Sequence, residues 1–392
     1  MHRFVRPQVS ALIVALAIGG AVAASSVLGA ASAAAASGSK KSAGFNLAAI
    51  KKQVAALEKG PTVYQGPTKA VKVPKGIKLA VVPCSVAFAG CEEAALGVEA
   101  VAKRLGWSVT LYNGEGTPTG MNDAMQQAVT SGAHAIITGA VNPAFITSGL
   151  AAAAAAGIPV GSATEGVAPS PGGYKYDIGP NYLTLGEMDG DYIIANSNGK
   201  AVFAPWNDAE YGSVTDFVNA TTATVKKCTT CTVLPTQQFV GADVSVTDLG
   251  ATVVDFLRTN PTVDYMVAGY DPAAAVMVPA IDSAGLQGKV KIASVIGAAQ
   301  NLAYVQAGNV QTADAGFDNN YIGYMAVYQM TRLLDHMSLW TTPGVSNPIY
   351  KYSGYVPLKL YASNGPKFTI GNYNANSTLH YVPKMEALLG LK

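Results

Sequence analysis

From Lys78 onward the chain alternates short apolar runs with helical stretches, and this alternation narrows the possible folds more than any other feature. "KLAVVP" (78–83) leads into "GCEEAALGVEAVAKRLG", where Ala94, Leu96, Val98, Val101, Ala102 and Leu105 supply apolar positions for a helix that Gly106 ends. "WSVTLY" (107–112), "AHAIIT" (133–138) and "IPVGSA" (158–163) follow, separated by helical stretches around "MNDAMQQAVTSG" and "FITSGLAAAAAAG". Strand and helix alternating at this spacing predict βαβ units and a parallel sheet. Runs such as "AVV", "AII" and "YMV" lack polar alternation, as strands covered on both faces do. The pattern then restarts with "KAVFAP" (200–205), "CTVLPT" (231–236), "DYMVAG" (264–269) and "KIASVIG" (291–297). A chain of 392 residues exceeds the size at which one core stays undivided. The predicted fold is therefore α/β, with two doubly wound parallel-sheet lobes.

The ends of these strands carry the candidate chemistry. In open parallel sheets, ligands sit beyond the carboxyl ends of the strands, where loops and helix N-terminal amides converge. "VNP", "WND", "YDP" and "AQN" follow four such ends, which nominates Asn142, Trp206, Asn207, Asp208, Tyr270, Asp271 and Gln300. Helix capping is the competing reading, since Asn, Asp and Pro belong at helix starts in any α/β protein. Phe88, Trp206, Tyr270 and Phe317 all lie at strand-end loops, where rings could clamp an apolar face while amides and carboxylates bond a polar edge. For any one ring, core packing is the alternative.

Residues 1–36 read as a signal peptide: Arg3 and Arg6 precede "ALIVALAIGGAVAASSVLG", and small-residue sites follow. The alternative is a retained membrane anchor, for which Gly19, Gly20 and the many alanines make the stretch weakly apolar. Residues 37–74 form a linker in which Leu47, Ile50, Val54 and Leu57 share one face of a short helix. Without Arg3 and Arg6, basic and acidic residues balance at 24 each. No basic stripe is present to neutralise phosphates, which argues against nucleic acid.

Four cysteines in an exported chain read as two disulfides. Cys228 and Cys231 are close enough to join across a turn, leaving Cys84 with Cys91. A redox CxxC and a four-thiol zinc site are the alternatives; the first wants a helix N-terminus where "TVL" looks like a strand, and nothing in the spacing demands the second. No GxGxxG follows the first strand and no GxSxG is present, while His2, His134, His336 and His380 are scattered. The sequence nominates no catalytic residue, no metal ligand and no cofactor.

As an ordered set, "KLAVVPCSVAFAGCEEAALGVEAVAKRLGW", "MNDAMQQAVTSGAHAIITGAVNPAFITSGLAAAAAAGIPV", "GEMDGDYI", "LRTNPTVDYMVAGYDPAAAV" and "GFDNNYIGYMAVYQMTRLL" resemble the type I periplasmic binding proteins of sugar-type ABC transporters, over residues 75–340. The resemblance implies a three-crossing hinge, near Thr164 to Ser170, Ala315 to Asp318 and Leu339 to Val345. The N-terminal lobe would then comprise 75–168 with 317–342, and the C-terminal lobe 169–316 with 343–392, the last strands completing it. It further implies an exported monomer, in the periplasm, cell-wall space or outside the cell. Such a protein takes a small molecule between its lobes and delivers it to a membrane permease. Carried over by position, the binding set gains Ser85, Thr164 and Glu165. Where sugar binders commonly place an aspartate, this chain has Ala298 and Ala299. The scaffold thus favours a sugar or polyol; the alternatives are an aromatic or terpenoid ligand, a sensor feeding a membrane receptor, and, further off, an α/β enzyme.

Overall fold

The structure, a computed structural model, describes residues 46–246 and 248–391. The signal-peptide segment and the start of the linker lie outside the described residues. The linker helix forms as α1 (Leu47–Leu57), with the Asn46 side chain accepting from the Ala49 amide at its N-terminus and Val54 buried. Its Lys51 ammonium donates to Asn198, so α1 docks on the part of the chain that forms the second lobe.

The first lobe runs β1 (Lys78–Pro83), α2 (Ala89–Arg104), β2 (Ser108–Leu111), α3 (Pro118–Thr130), β3 (Ala135–Gly139), α4 (Thr147–Ala155), β4 (Val160–Ala163) and β5 (Asp177–Ile178). Its five strands are all parallel in the order β2-β1-β3-β4-β5. β3 and β4 are buried at every position, as the unbroken apolar runs require of a sheet covered on both faces.

The second lobe repeats this plan through α5 (Tyr182–Asn196), β6 (Val202–Asp208), α6 (Gly212–Val225), β7 (Thr232–Val233), β8 (Gln237–Phe239), α7 (Gly241–Ser245), α8 (Asp248–Thr259), β9 (Tyr265–Val267), α9 (Asp271–Ser283), β10 (Lys291–Ile296), α10 (Ala299–Ala307) and β11 (Gln311–Phe317). Its sheet is ordered β12-β11-β10-β9-β6-β7, where β12 (Leu358–Ala362) joins antiparallel at the edge and β8 pairs with the far end of β6. Counted from β6, the parallel strands follow the same order as in the first lobe, and in both sheets the order reverses beside the first strand.

The chain leaves the first sheet after Ile178, enters α11 (Asn319–Leu334) after Phe317, and returns to the second sheet at β12. α11 packs on α2 of the first lobe. A Cβ on Gly97 would fall 2.8 Å from the Asn319 carbonyl oxygen, so glycine there lets the two backbones approach. Two details depart from the sequence reading. Residues 169–178 stay with the first lobe: β5 pairs with β4, the Tyr174 hydroxyl donates to the Val141 carbonyl at 2.6 Å, and that of Tyr176 to Ala326 at 2.7 Å. After β12 the described chain forms no further strand but two short helices, α12 (Asn376–Leu379) and α13 (Tyr381–Leu388). The latter lies on α11, where Glu386 bonds the Tyr324 hydroxyl and pairs with Arg104 of α2.

Candidate functional site

The carboxyl ends of both sheets meet over one cavity of about 60 Å³. From the first lobe, β1 stops at Pro83 and the next turn is closed by a Cys84–Cys91 disulfide. Within that turn the Val86 amide bonds Asn113 and the Ala87 amide bonds the Ser85 hydroxyl, and Phe88 is carried at the start of α2, facing the cavity. Thr164 lines it too, with a positive φ of 63°.

The second lobe supplies most of the wall. Tyr182, Tyr211 and Tyr270 stand at the starts of α5, α6 and α9, Ser213, Val214 and Phe217 continue along α6, and Val295, Ile296 and Phe317 come from the ends of β10 and β11. Ile296 has a φ of 139°, a conformation that a β-branched residue rarely adopts. Two strained residues, one on each wall, are what a site held in shape by its surroundings looks like.

The rings are fixed by one another and by hydrogen bonds. Tyr182 meets Phe317 edge-on at 6.3 Å, Tyr211 meets Tyr270 at 6.2 Å, and Phe239 backs Tyr270 at 5.6 Å. All three tyrosine hydroxyls have internal acceptors: the Thr164 carbonyl at 2.6 Å for Tyr182, Asp208 at 2.9 Å for Tyr270, and the Cys84 sulfur at 3.8 Å for Tyr211. The last of these joins the lobes, as does the Asn142 amide, which donates to the Glu210 carbonyl at 3.2 Å.

Around this wall lie buried carboxyls. Glu165 is fully buried, and neither of its carboxyl oxygens has a partner among the described residues. Burial, with Asp177 nearby, pushes it well above the ordinary carboxylate range. Burial likewise raises Asp177 to about 6, although the Gly166 amide bonds it, and Asp208 to about 6 against the Glu210 amide and Tyr270 hydroxyl that favour its charged form. Glu93 on α2, bonded by the Asn319 amide, is raised to about 7, first by burial.

Of the residues nominated from sequence, the structure brings Phe88, Thr164, Tyr270 and Phe317 to the cavity wall. Ser85 lies in the disulfide-closed turn, Glu165 directly follows Thr164, and Asn142 bridges the lobes. The others are turned elsewhere. β6 continues as strand to Asp208 because β8 pairs with its end, so Trp206 packs its ring on Phe256 at 5.3 Å while Asn207 bonds Gln238 at 3.2 Å. Asp208 reaches the site only through Tyr270. Asp271 accepts from the Ser294 hydroxyl at 2.6 Å and the Ala298 amide at 2.9 Å, tying α9 to the loop after β10, and Gln300 is exposed beside Tyr304. The sequence reading does not include Tyr182 and Tyr211, although each is an aromatic residue at the start of a helix that follows a strand end, as Phe88 and Tyr270 are. Both expected disulfides are present, Cys228–Cys231 lying away from the cavity in the turn before β7.

Among the described residues no group of His, Cys, Asp and Glu could hold a metal ion, and no helix is long and apolar enough to cross a membrane. A two-lobed α/β body with facing switch points and a cavity walled from both sides defines a solute-binding architecture. The chain belongs to the periplasmic binding protein family, whose domain matches residues 79–337. No curated protein matches it in sequence. Among solved structures it is similar to an ABC sugar transporter subunit from Rhodobacter sphaeroides, at 16% identity and a TM-score of 0.63 over 74% of this chain and 99% of that one. An ABC transporter solute-binding protein from Agrobacterium vitis with bound allitol is similar at 18% identity and a TM-score of 0.63, over 74% and 96% of the two chains. A 5-methylthioribose transporter solute-binding protein from Thermotoga lettingae, in complex with 5-methylthioribose, gives 18% and 0.60 over 68% and 84%. At these identities the likeness is one of fold.

Proposed function

We propose that this protein is an exported, monomeric solute-binding component that captures one small molecule between its lobes and delivers it to an ABC transporter permease. The observation that carries this reading is the cavity at the two opposed switch points, walled by Phe88 and Thr164 from one lobe and by Tyr182, Tyr211, Tyr270 and Phe317 from the other. A ligand touching both walls stabilises the arrangement in which the lobes meet, and that arrangement is what a permease would recognise. The three chain crossings, after Ile178, at Phe317 to Asn319 and before β12, would act as the hinge.

Sugars or polyols, the ligands of similar proteins, are the first candidates. The wall supports the alternative chemistry better. A sugar relies on charge-assisted hydrogen bonds, each contributing about 1.5–3 kcal/mol. Here Asp271 is bonded within its own lobe, Asp208 contacts a tyrosine, and the tyrosine hydroxyls already have internal acceptors. Recognition through ring faces suits a weakly hydroxylated solute. Thermal-shift measurements against sugars, polyols and aromatic compounds test the proposal: a cleft ligand raises the melting temperature as its concentration passes its dissociation constant. A small-angle scattering profile that stays the same with such a ligand, at an unchanged melting temperature, would refute capture between the lobes.

A further inference from the structure

The cleft constrains the charge of its ligand as well as its shape. Building on the reading of this cavity as a solute site, we propose that the ligand carries a small organic cation, an amine or quaternary ammonium group, caged by ring faces with carboxyl groups of both lobes around them. Six rings line the cavity, Phe88, Tyr182, Tyr211, Phe217, Tyr270 and Phe317, and no Lys, Arg or His is among its lining residues. Because each tyrosine hydroxyl is engaged internally, what the tyrosines offer a ligand is ring surface, and the negative quadrupole of a ring face attracts cations.

The groups around the cage that can carry charge are carboxyls. Glu165 comes from the first lobe, and Asp208 and Glu210 from the second. Their influence on the lining tyrosines is direct: after burial, Asp208, Glu210 and Glu165 push the Tyr211 hydroxyl upward, and Asp177 and Glu165 do the same for Tyr182. The ion pairs among the described residues are Lys103–Glu99, Arg104–Glu386 and Arg258–Asp255, so none of these cleft carboxyls is neutralised by a basic residue. Burying Glu165 without a partner is unfavourable unless it stays protonated or a positive charge joins it. A cation in the adjoining cavity, which Thr164 lines, would bring a positive charge toward Glu165 where no basic residue lines the wall. Asp208 strengthens the cage further, since accepting the Tyr270 hydroxyl proton's hydrogen bond enriches that ring in electron density.

Calorimetric titration of the purified protein with choline, with its neutral isostere 3,3-dimethylbutan-1-ol and with allitol tests this. The expected result is choline binding at least about tenfold tighter than the isostere, roughly the discrimination one desolvated cation–π cage supplies. The ratio of choline to isostere affinity should collapse toward one in Glu165→Gln, and in Phe88→Leu, which keeps apolar volume but removes a ring. The second variant preserves the test should the first fail to fold. Equal affinity for choline and the isostere, or an undiminished ratio in both variants, overturns the cation proposal. Allitol binding without choline overturns it too and leaves solute capture standing. If no probe here and no compound of the sugar, polyol and aromatic panel binds, solute capture itself falls.

Discussion

The two lobes share one strand order, yet the first strands of the two sheets, β1 and β6, end in opposite ways. In the first, β1 stops at Pro83 and the chain leaves the sheet through a disulfide-closed turn, so Phe88 is free to face the cleft. In the second, β8 carries β6 on to Asp208, so Trp206, Asn207 and Asp208 remain strand residues with their side chains committed to the sheet faces. The second lobe reaches the cleft through residues that open its helices, Tyr182, Tyr211 and Tyr270, and through the ends of β10 and β11, Ile296 and Phe317. Position at a strand's carboxyl end therefore does not by itself place a residue in the cleft: Ile296 and Phe317 line it while still paired, whereas the end of β6 is taken up by β8.

The sharpest way to break this comparison is Trp206→Ala. The indole is buried against Phe256, so truncation should leave a cavity and cost about 3–5 kcal/mol of stability, read as a lower melting temperature. Ligand affinity of the folded fraction should change little. An unchanged melting temperature with weakened affinity would return Trp206 to the cleft.

A smaller effect follows from the buried carboxyls, which both lobes contain. Asp177 in the first lobe and Asp208 in the second are raised to about 6, and Glu93 to about 7, above the usual unfolded values of about 4. The folded protein then binds these protons more tightly than the unfolded chain does. The resulting stabilisation is complete below about pH 4 and is lost as pH rises through 6 to 7. For fully buried Asp177 it is up to about 3 kcal/mol. Denaturant titrations at pH 4.5 and 7.5 should find greater stability at the lower pH from these groups, with Asp177→Asn flattening the difference. Stability that rises with pH across this window would mean that the carboxyls are ionised and paired.

The disulfides sharpen the comparison at about 2 kcal/mol each, as expected for short loops with separations of 7 and 3 residues. Cys84→Ser with Cys91→Ser should also lower ligand affinity about tenfold, because the turn that positions Phe88 must then be ordered on binding. Cys228→Ser with Cys231→Ser should lower the melting temperature and leave affinity alone. Equal affinities in the two double variants would show that the first disulfide does not position the cleft.

The alternation of apolar runs made the two-lobed α/β plan legible in the sequence, since covered parallel strands need unbroken apolar residues and helices between them. The candidate site was legible in part. Phe88, Thr164, Tyr270 and Phe317 lie where strand ends and the family resemblance put them. Tyr182 and Tyr211 follow strand ends that the sequence hides, the two-residue β5 and the β8-paired extension of β6, while Asp271 braces its own lobe. The continuation of β6 depended on β8, a three-residue strand too short to announce itself by pattern, and so did the fate of Trp206 and Asn207. Long-range pairing of this kind leaves no local periodicity to read.

Asn142 tests the finest difference, between touching the ligand and joining the lobes. Its amide donates to the Glu210 carbonyl across the cleft, one hydrogen bond worth about 1 kcal/mol net. If that is its role, Asn142→Ala shifts the balance between parted and meeting lobes by the same amount and weakens any cleft ligand about fivefold, mostly through faster release, with the melting temperature of the free protein nearly unchanged. Stopped-flow association and dissociation rates separate the cases. A loss beyond about a hundredfold exceeds what one interlobe hydrogen bond supplies and would mean that Asn142 bonds the ligand itself.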